Sequence, residues 1–419
     1  MKSPFKFGLM LLACSTTGLA QTPAVNVHAS AQRGNHLLVL GSAVETDKST
    51  GKTKSHNNHI SQLDTGKLQA LPALPATAHS DGVPITHHIT QAAWINHDSA
   101  VVFTRVLNDN GMPEAQWFGT LNVKSNKFTA LPTLPRTRDG QDNQDFVLKL
   151  IGATADHAFM VAEDGLFTRV HIKSGGQTTL SKLLRKRNNY IGRVLNDGRV
   201  VIAGGQVESE MVLTRERGCG TPTTAPCIEK YGGYGQRLPS RRHEMFDPVT
   251  NTWRNSAPSR ASGGSAAVLP SGRVAKLGDF TTSAIDPNDP KRKIETTTAL
   301  LEISSEDGQS WRRIVLPTPM TGIFASIGLE VVAVAQANNL LDRSLFLRAT
   351  AGDDRAENPH LGSPKAPVWW WLADVDDAKA NWQLVNRDRN LGIASNIAGA
   401  EKSKLHVWPS VNGVAVYAK

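Results

Sequence analysis

The sequence predicts an all-β fold in which four-stranded antiparallel sheets stack around a common axis, and three observations lead there. Apolar residues alternate in short runs broken by turn residues, with little helical periodicity. One hairpin pattern recurs seven times along the chain, and a second recurs six times in alternation with it. The second pattern returns every 49 to 76 residues, a repeat length that suits a four-stranded unit.

The first pattern is a strand, a tight polar turn and a β-branched strand. Its clearest copy is 193–205, where Leu195-Asn196-Asp197-Gly198-Arg199-Val200 turns the chain, and 267–278 aligns with it position by position. Asp-Gly and Ser-Gly supply the positive-φ residue that a two-residue hairpin turn demands. Looser copies are 27–42, 92–105, 150–163, 331–349 and 406–418. The second pattern is a polar turn leading to an aromatic or apolar residue and then a proline. Residues 245–253 before Pro258 are the best copy; the others are 63–68, 121–128, 170–178, 303–311 and 375–382, with turn anchors at Asp64, Asn122, His171, Asp247, Ser304 and Asp374.

A four-stranded sheet with two apolar faces cannot bury both alone. Stacking such sheets face to face in a closed ring solves this and leaves only short edges exposed, which is the architecture of a β-propeller. Phe128, Trp253, Trp311 and Trp382, each following a turn, are expected to fill the space between neighbouring blades. Seven first hairpins against six second hairpins point to seven blades with the last incomplete or degenerate; six blades are the alternative. One propeller domain is expected over 24–419, interrupted by an insertion loop at 206–242.

Residues 247–253, followed by Leu269-Pro270-Ser271-Gly272-Arg273-Val274, resemble the kelch repeat in the version found in the central domain of galactose oxidase. Gly204-Gly205 matches the double glycine that ends the repeat's second strand. The likeness spans about 190–320 and fades on either side. With the N-terminal leader described next, the chain is similar to bacterial exported kelch proteins. The resemblance implies a propeller and little about chemistry.

Residues 1–20 run from basic (Lys2, Lys6) through apolar to small and polar, the order of a secretory signal peptide. Two processing readings stand: cleavage after Ala20, or acylation of Cys14 in a Leu-Leu-Ala-Cys lipoprotein box. Either implies export to the periplasm, with outer-membrane association or secretion to the medium as variants. Removing Lys2 and Lys6 would lower the formal charge from +9 to +7, and the basic residues are scattered, which argues against a nucleic-acid partner. No later apolar stretch is long enough to span a membrane, so a lipid anchor is the one expected membrane attachment. In an oxidising compartment Cys219 and Cys227 are expected to pair.

Local motifs for chemistry are sparse. A radical-copper site would need a tyrosine crosslinked to a cysteine, and the four tyrosines (Tyr190, Tyr231, Tyr234, Tyr417) offer no such arrangement. Residues 304–311 resemble the Asp-box turn of sialidases, with Glu306 in place of the Asp, but the Arg-Ile-Pro signature is missing. His56, His59, His87 and His88 lack a third ligand and read as solvated loop histidines; no metal and no cofactor is expected. The Trp369-Trp370-Trp371 run reads as packing on both faces of a strand, with a sugar-stacking platform as the rival. The insertion is the candidate recognition surface, through Arg215, Arg217, Tyr231, Tyr234, Arg237, Arg241 and Arg242, because Arg and Tyr dominate binding hot spots. The function expected is non-catalytic binding of a glycan or protein partner at the cell envelope. A sugar-acting periplasmic enzyme of mutarotase or epimerase type, with its site at the tunnel mouth, is the alternative.

Overall fold

Within a sheet, strands pair mostly with their neighbours in sequence, because a short polar turn leaves the following strand no partner nearer than the one just completed. The computed structural model describes residues 25–33, 36–46, 53–62, 67–70, 87–96, 98–107, 113–125, 127–131, 148–162, 165–208, 215–218, 228–231, 237–317, 329–333, 343–349, 368–385, 405–410 and 413–418. Sheet 1 holds β1 (Val25–Arg33), β2 (His36–Thr46), β3 (Thr53–Gln62) and β4 (Lys67–Ala70). Sheet 2 holds β5 (His87–Trp94), β6 (Ser99–Leu107), β7 (Pro113–Asn122) and β8 (Lys127–Ala130). Sheet 3 holds β9 (Lys149–Ala153), β10 (His157–Val161), β11 (Phe167–His171) and β12 (Gln177–Thr179).

Sheet 4 is broken by the insertion. β13 (Arg187–Val194) and β14 (Val200–Glu208) come first, and β15 (Arg215–Gly218) with β16 (Ile228–Tyr231) form a separate hairpin. β17 (Arg237–Pro239) returns to pair with β14 before β18 (Glu244–Asp247) and β19 (Thr252–Asn255) complete the sheet. The stretch read as a loop at 206–242 therefore carries strands of its own. Sheet 5 holds β20 (Ser262–Val268), β21 (Val274–Asp286), β22 (Asp289–Ser304) and β23 (Trp311–Ile314), and sheet 6 holds β24 (Leu329–Ala333), β25 (Leu345–Ala349), β26 (Val368–Leu372) and β27 (Trp382–Val385). A last hairpin, β28 (Leu405–Ser410) and β29 (Gly413–Ala418), touches β1 and β2 on one side and β24 on the other. All pairing is antiparallel.

The first strand of each sheet lies against the first strand of the next, from β1 through β5, β9, β13 and β20 to β24. Apolar clusters fill the gaps between successive sheets. Ala100 and Val102 face sheet 1 with Leu40 and Ile89, whereas Val101 and Phe103 face sheet 3 with Met160 and Val170. Val200 and Ile202 pack with Phe167 of sheet 3, and Val201 and Ala203 with Val274 of sheet 5. Ala275 and Leu277 continue the alternation toward Leu345 and Leu347 of sheet 6. The period of two along a single strand thus serves two different cores. Face-to-face stacking of this kind, with first strands innermost, makes the chain a β-propeller.

Polar contacts stitch the inner ring. Gln91 on β5 accepts from Leu150 N–H at 2.6 Å and donates to Leu148 O at 2.9 Å. Lys149 donates to Tyr190 O, Arg193 to Val268 O at 3.0 Å, and Ser265 Oγ accepts from Val331 N–H at 2.8 Å. The tryptophans expected between blades are there, and each does a second job. Trp253, Trp311 and Trp382 donate their indole N–H to Ser181 O, Ala257 O and Val315 O, in the connections entering sheets 4, 5 and 6 respectively. Phe128 packs between sheets 1 and 2.

Three local expectations change. The hairpin turns at 195–199 and 269–273 have three residues, not two: Leu195 N–H bonds to Arg199 O and Gly198 N–H to Leu195 O, with Gly198 at φ 85° and Gly272 at φ 88°. A type I turn closed by a left-handed glycine is the form this takes. Asn122, Asp247 and Asp374 anchor their turns by accepting backbone N–H groups, but Ser304 does not. Its buried hydroxyl accepts from Val274 N–H, and Ser305 closes the turn instead. Asp64 and the polar segment 353–367 lie outside the described residues. His56 and His59 sit in β3, and His87 and His88 in β5, rather than in loops.

Candidate functional site

The order of strands sends one class of connection to each end of the wheel. Hairpin turns such as 195–199 and 248–251 lie at one end. The opposite end carries the connections between sheets and those between second and third strands, including the insertion of sheet 4. At that end a cavity of about 300 Å³ opens on sheet 4. Four arginines line it, Arg185, Arg187, Arg241 and Arg242, together with Ser240 and Asn255; Val207, Leu238 and two prolines supply its apolar wall.

Arg187, the first residue of β13, forms the floor. It is paired with Glu244, the first residue of β18, and both side chains are almost wholly shielded from solvent. Its guanidinium also donates to Gly204 O at 3.1 Å, while the second Glu244 oxygen accepts from Leu184 N–H at 2.8 Å. Such added hydrogen bonds offset part of the cost of burying the two charges. The rim is different. Arg185, Arg241 and Arg242 are exposed, and Arg241 and Arg242 bond to the carbonyls of Ser259 and Ser256, each at 2.6 Å. Among the described residues none of these three has a carboxylate partner. The cavity therefore presents cationic forks held in place by neutral acceptors, which suits a carboxylate, sulfate or phosphate group.

Of the expected recognition residues, Arg241 and Arg242 are brought to the cavity because β17 pairs back onto β14, setting Pro239 opposite Gln206. Arg237 stands opposite Glu208 in the same pairing. Arg215 and Tyr231 are paired in register on the β15–β16 hairpin, with Arg217 opposite Glu229; the side chains of Arg215, Arg217, Tyr231 and Arg237 are outside the described residues. Tyr234, Cys219, Cys227 and Cys14 also lie outside them. Arg185 and Arg187 were not foreseen, although the basic run Lys182–Arg187 directly before the innermost strand of the interrupted repeat was a visible signal.

Buried titratable groups continue from the cavity toward sheet 5. His243, next to Glu244, is packed against the Trp311 ring with centroids 5.6 Å apart, and neither ring nitrogen has a hydrogen-bond partner among the described residues. Burial, with the cations Arg187 and Arg254 adding to it, pushes its pKa down to about 3. The neighbouring Ser256 hydroxyl donates to Ala257 O and accepts from His243 N–H, so the imidazole activates no hydroxyl here. Lys276 on β21 is buried, donates to Gly263 O at 2.8 Å, and is driven to about 8 by burial and by Arg187. On the inner ring, Lys149 lies 4.3 Å from the Tyr190 ring centroid and is lowered to about 8 by burial; the Tyr190 hydroxyl is pushed up, also by burial. Among the described residues no group of three or more His, Cys, Asp or Glu is fit to hold a metal, and no helix is long and apolar enough to cross a membrane. Trp370 packs into the core between sheets 5 and 6.

No family model matches the chain, and no curated protein matches it. Among solved structures it is similar to YCF48 bound to D1 peptide, with a TM-score of 0.47, 10% identity, and coverage of 95% of this chain and 93% of that one. A likeness of this degree says nothing about what the present chain binds.

Proposed function

We propose that this chain is an exported, kelch-type β-propeller that binds an anionic ligand at the cell envelope without transforming it. The cavity of sheet 4 carries the reading: three exposed arginines, two of them held by carbonyls, surround a fourth already neutralised by Glu244. The export leader at 1–20 and the kelch-like double glycine, with Gly204 and Gly205 both at positive φ, support the rest. A Cys219–Cys227 bridge belongs to the same reading, since β15 and β16 pair Gly218 with Ile228, the residues beside the two cysteines. So does β28–β29 as the inner pair of a seventh blade.

Calorimetric titration of the full chain with heparin oligosaccharides and with polyglutamate tests this. Binding to at least one should weaken about tenfold when Arg241 and Arg242 are both replaced by Ala, the size expected for a lost charge-assisted contact. It should also weaken with added salt. Binding of neither, or affinities indifferent to the arginines, would overturn the proposal. The second reading, a sugar-acting enzyme at the tunnel mouth, is favoured by the low-pKa Lys149 beside Tyr190 on the inner ring. Turnover of a sugar that Lys149→Met abolishes would establish it instead.

A further inference from the structure

Sheet 5 carries an elaboration of its own on the same connection that holds the insertion in sheet 4. β20 pairs with β21 no further than Asp279, and β23 pairs with β22 no further than Leu301. Yet β21 and β22 go on pairing with each other, from Phe280 opposite Thr298 to Ile285 opposite Lys293. Residues 280–298 therefore stand off the wheel as a two-stranded ribbon closed by the turn Asp286-Pro287-Asn288-Asp289. Neither edge of the ribbon is covered by another strand among the described residues.

Its two faces are not alike. Alternation places Phe280, Thr282 and Ala284, with their partners Thr298, Thr296 and Ile294, on the face that Val274 turns toward sheet 4. Contacts at the base agree. The Arg260 guanidinium, in the connection from sheet 4, lies 5.5 Å from the Phe280 ring centroid, and the preceding Ser259 O accepts from Arg241 at the cavity rim. Ile294 on this face is 42% exposed. An uncovered strand edge, a β-branched and apolar face, and a set of arginines thus meet at one place.

We infer that ribbon and cavity together form a groove for an extended acidic peptide segment, which adds as a strand to the ribbon edge and lays a carboxylate side chain among Arg185, Arg241 and Arg242. The inference rests on the reading of the cavity as an anion site and narrows its ligand. Strand addition supplies affinity through main-chain hydrogen bonds, with alternate side chains giving specificity. Guanidinium forks match carboxylates in geometry as well as charge. A sugar ring would need an aromatic face to stack on, and no aromatic residue lines the cavity. A bare ribbon edge offers a glycan little, whereas a peptide backbone can pair along it.

The test titrates the full chain with a short peptide of alternating Glu and Val, blocked at both ends, and with a heparin oligosaccharide of similar charge. Three proteins are compared: the parent, the Arg241→Ala/Arg242→Ala variant, and Ser283→Pro, which removes one ribbon N–H in an exposed strand remote from every core cluster. Should Ser283→Pro perturb folding, as read by its unfolding temperature, a ribbon shortened to a tight turn after Phe280 replaces it. The peptide is expected to bind, to lose about tenfold in affinity in both variants, and to slow amide exchange at 281–285. Heparin binding that depends on the arginines but ignores the ribbon, with no peptide binding, overturns the peptide groove and leaves the anion site standing. Binding of neither ligand overturns both.

Discussion

Sheets 4 and 5 place a glutamate at the same point of the repeat, three residues before the turn anchors Asp247 and Ser305, and then treat it differently. Glu302 accepts from Ser259 Oγ and Arg260 N–H, each at 2.8 Å, and from the Arg260 guanidinium at 2.9 Å, so it grips the connection as it enters sheet 5. Glu244 grips the connection into sheet 4 in the same way, through Leu184 N–H. Its cation, however, comes from inside. Arg260 is 56% exposed, whereas the Arg187 side chain is 1% exposed and reaches Glu244 from the innermost strand. The shared carboxylate is a structural clamp. The difference is that sheet 4 buries its arginine as the floor of a cavity and leaves further arginines exposed at the rim.

That contrast breaks most readily at Arg187. Replacing it by Met strands Glu244 as a buried, partly unmet charge, and the chain should lose about 3–5 kcal/mol in urea unfolding. The double variant Arg187→Met/Glu244→Leu should recover most of this, because it removes both charges together. If Arg187→Met proves nearly neutral, the pair is not the keystone of sheet 4, and the cavity floor has no special standing.

His243 gives the next effect, between the two sheets. Its folded pKa near 3 lies below the 6.5 of an exposed imidazole, so the unfolded chain takes up the proton first. The native state therefore suffers no penalty above pH 6.5 and loses stability as the pH falls toward 3, by up to about 1.4 kcal/mol per pH unit. Unfolding followed from pH 7 to 4 should show this slope, and His243→Leu should flatten it. Lys276 runs on the other side of neutrality. With its pKa lowered from 10.5 to about 8, stability should rise as the pH increases through that window. Lys276→Met should remove the rise.

The backbone is also handled differently by the two sheets. Gly205 lies on the second strand of sheet 4 at φ 73°, and a Cβ there would stand 2.2 Å from Asn188 O. Sheet 5 puts its double glycine on the first strand instead, where a Cβ on Gly264, at φ 63°, would meet Leu277 O at 2.2 Å. Either Gly→Ala change should cost about 2 kcal/mol, from the left-handed backbone and the clash together. Equal melting of parent and variant would show that the backbone relaxes freely at these glycines.

The propeller was legible because two hairpin patterns alternate along the chain, marked by polar turn anchors and, in three repeats, by the Trp that reappears at 253, 311 and 382. Each of the seven first hairpins and six second hairpins read from the sequence corresponds to a strand pair. The site was legible only by half. Arg241 and Arg242 were singled out for lying in an insertion, but a buried partner such as Arg187 reads like any basic residue until Glu244, far off in sequence, is placed beside it. The ribbon leaves no mark in the sequence for a different reason. Its strands simply extend those of sheet 5, and their alternation of Thr with Ala and Ile looks the same whether the strand is covered or bare.

The smallest expected effect is the most discriminating between the two sheets. Arg260→Ala should change stability by less than about 1 kcal/mol, since an exposed cation contributes little through solvent. Burial tends to raise the Glu302 carboxyl, but the Ser259 hydroxyl, the Arg260 N–H and the guanidinium outweigh it and hold it below the usual range. Two of those three donors survive the truncation, so the carboxylate should stay depressed. Because a depressed carboxyl contributes stability that is present above its unfolded pKa and is lost as the pH falls through the folded value, the acid limb of unfolding should hardly move. Ser259→Ala/Arg260→Ala should shift that limb further than Arg260→Ala does. A large loss from Arg260→Ala alone would mean that sheet 5 relies on its ion pair as sheet 4 does, and the cavity of sheet 4 could no longer be set apart by how its arginine is buried.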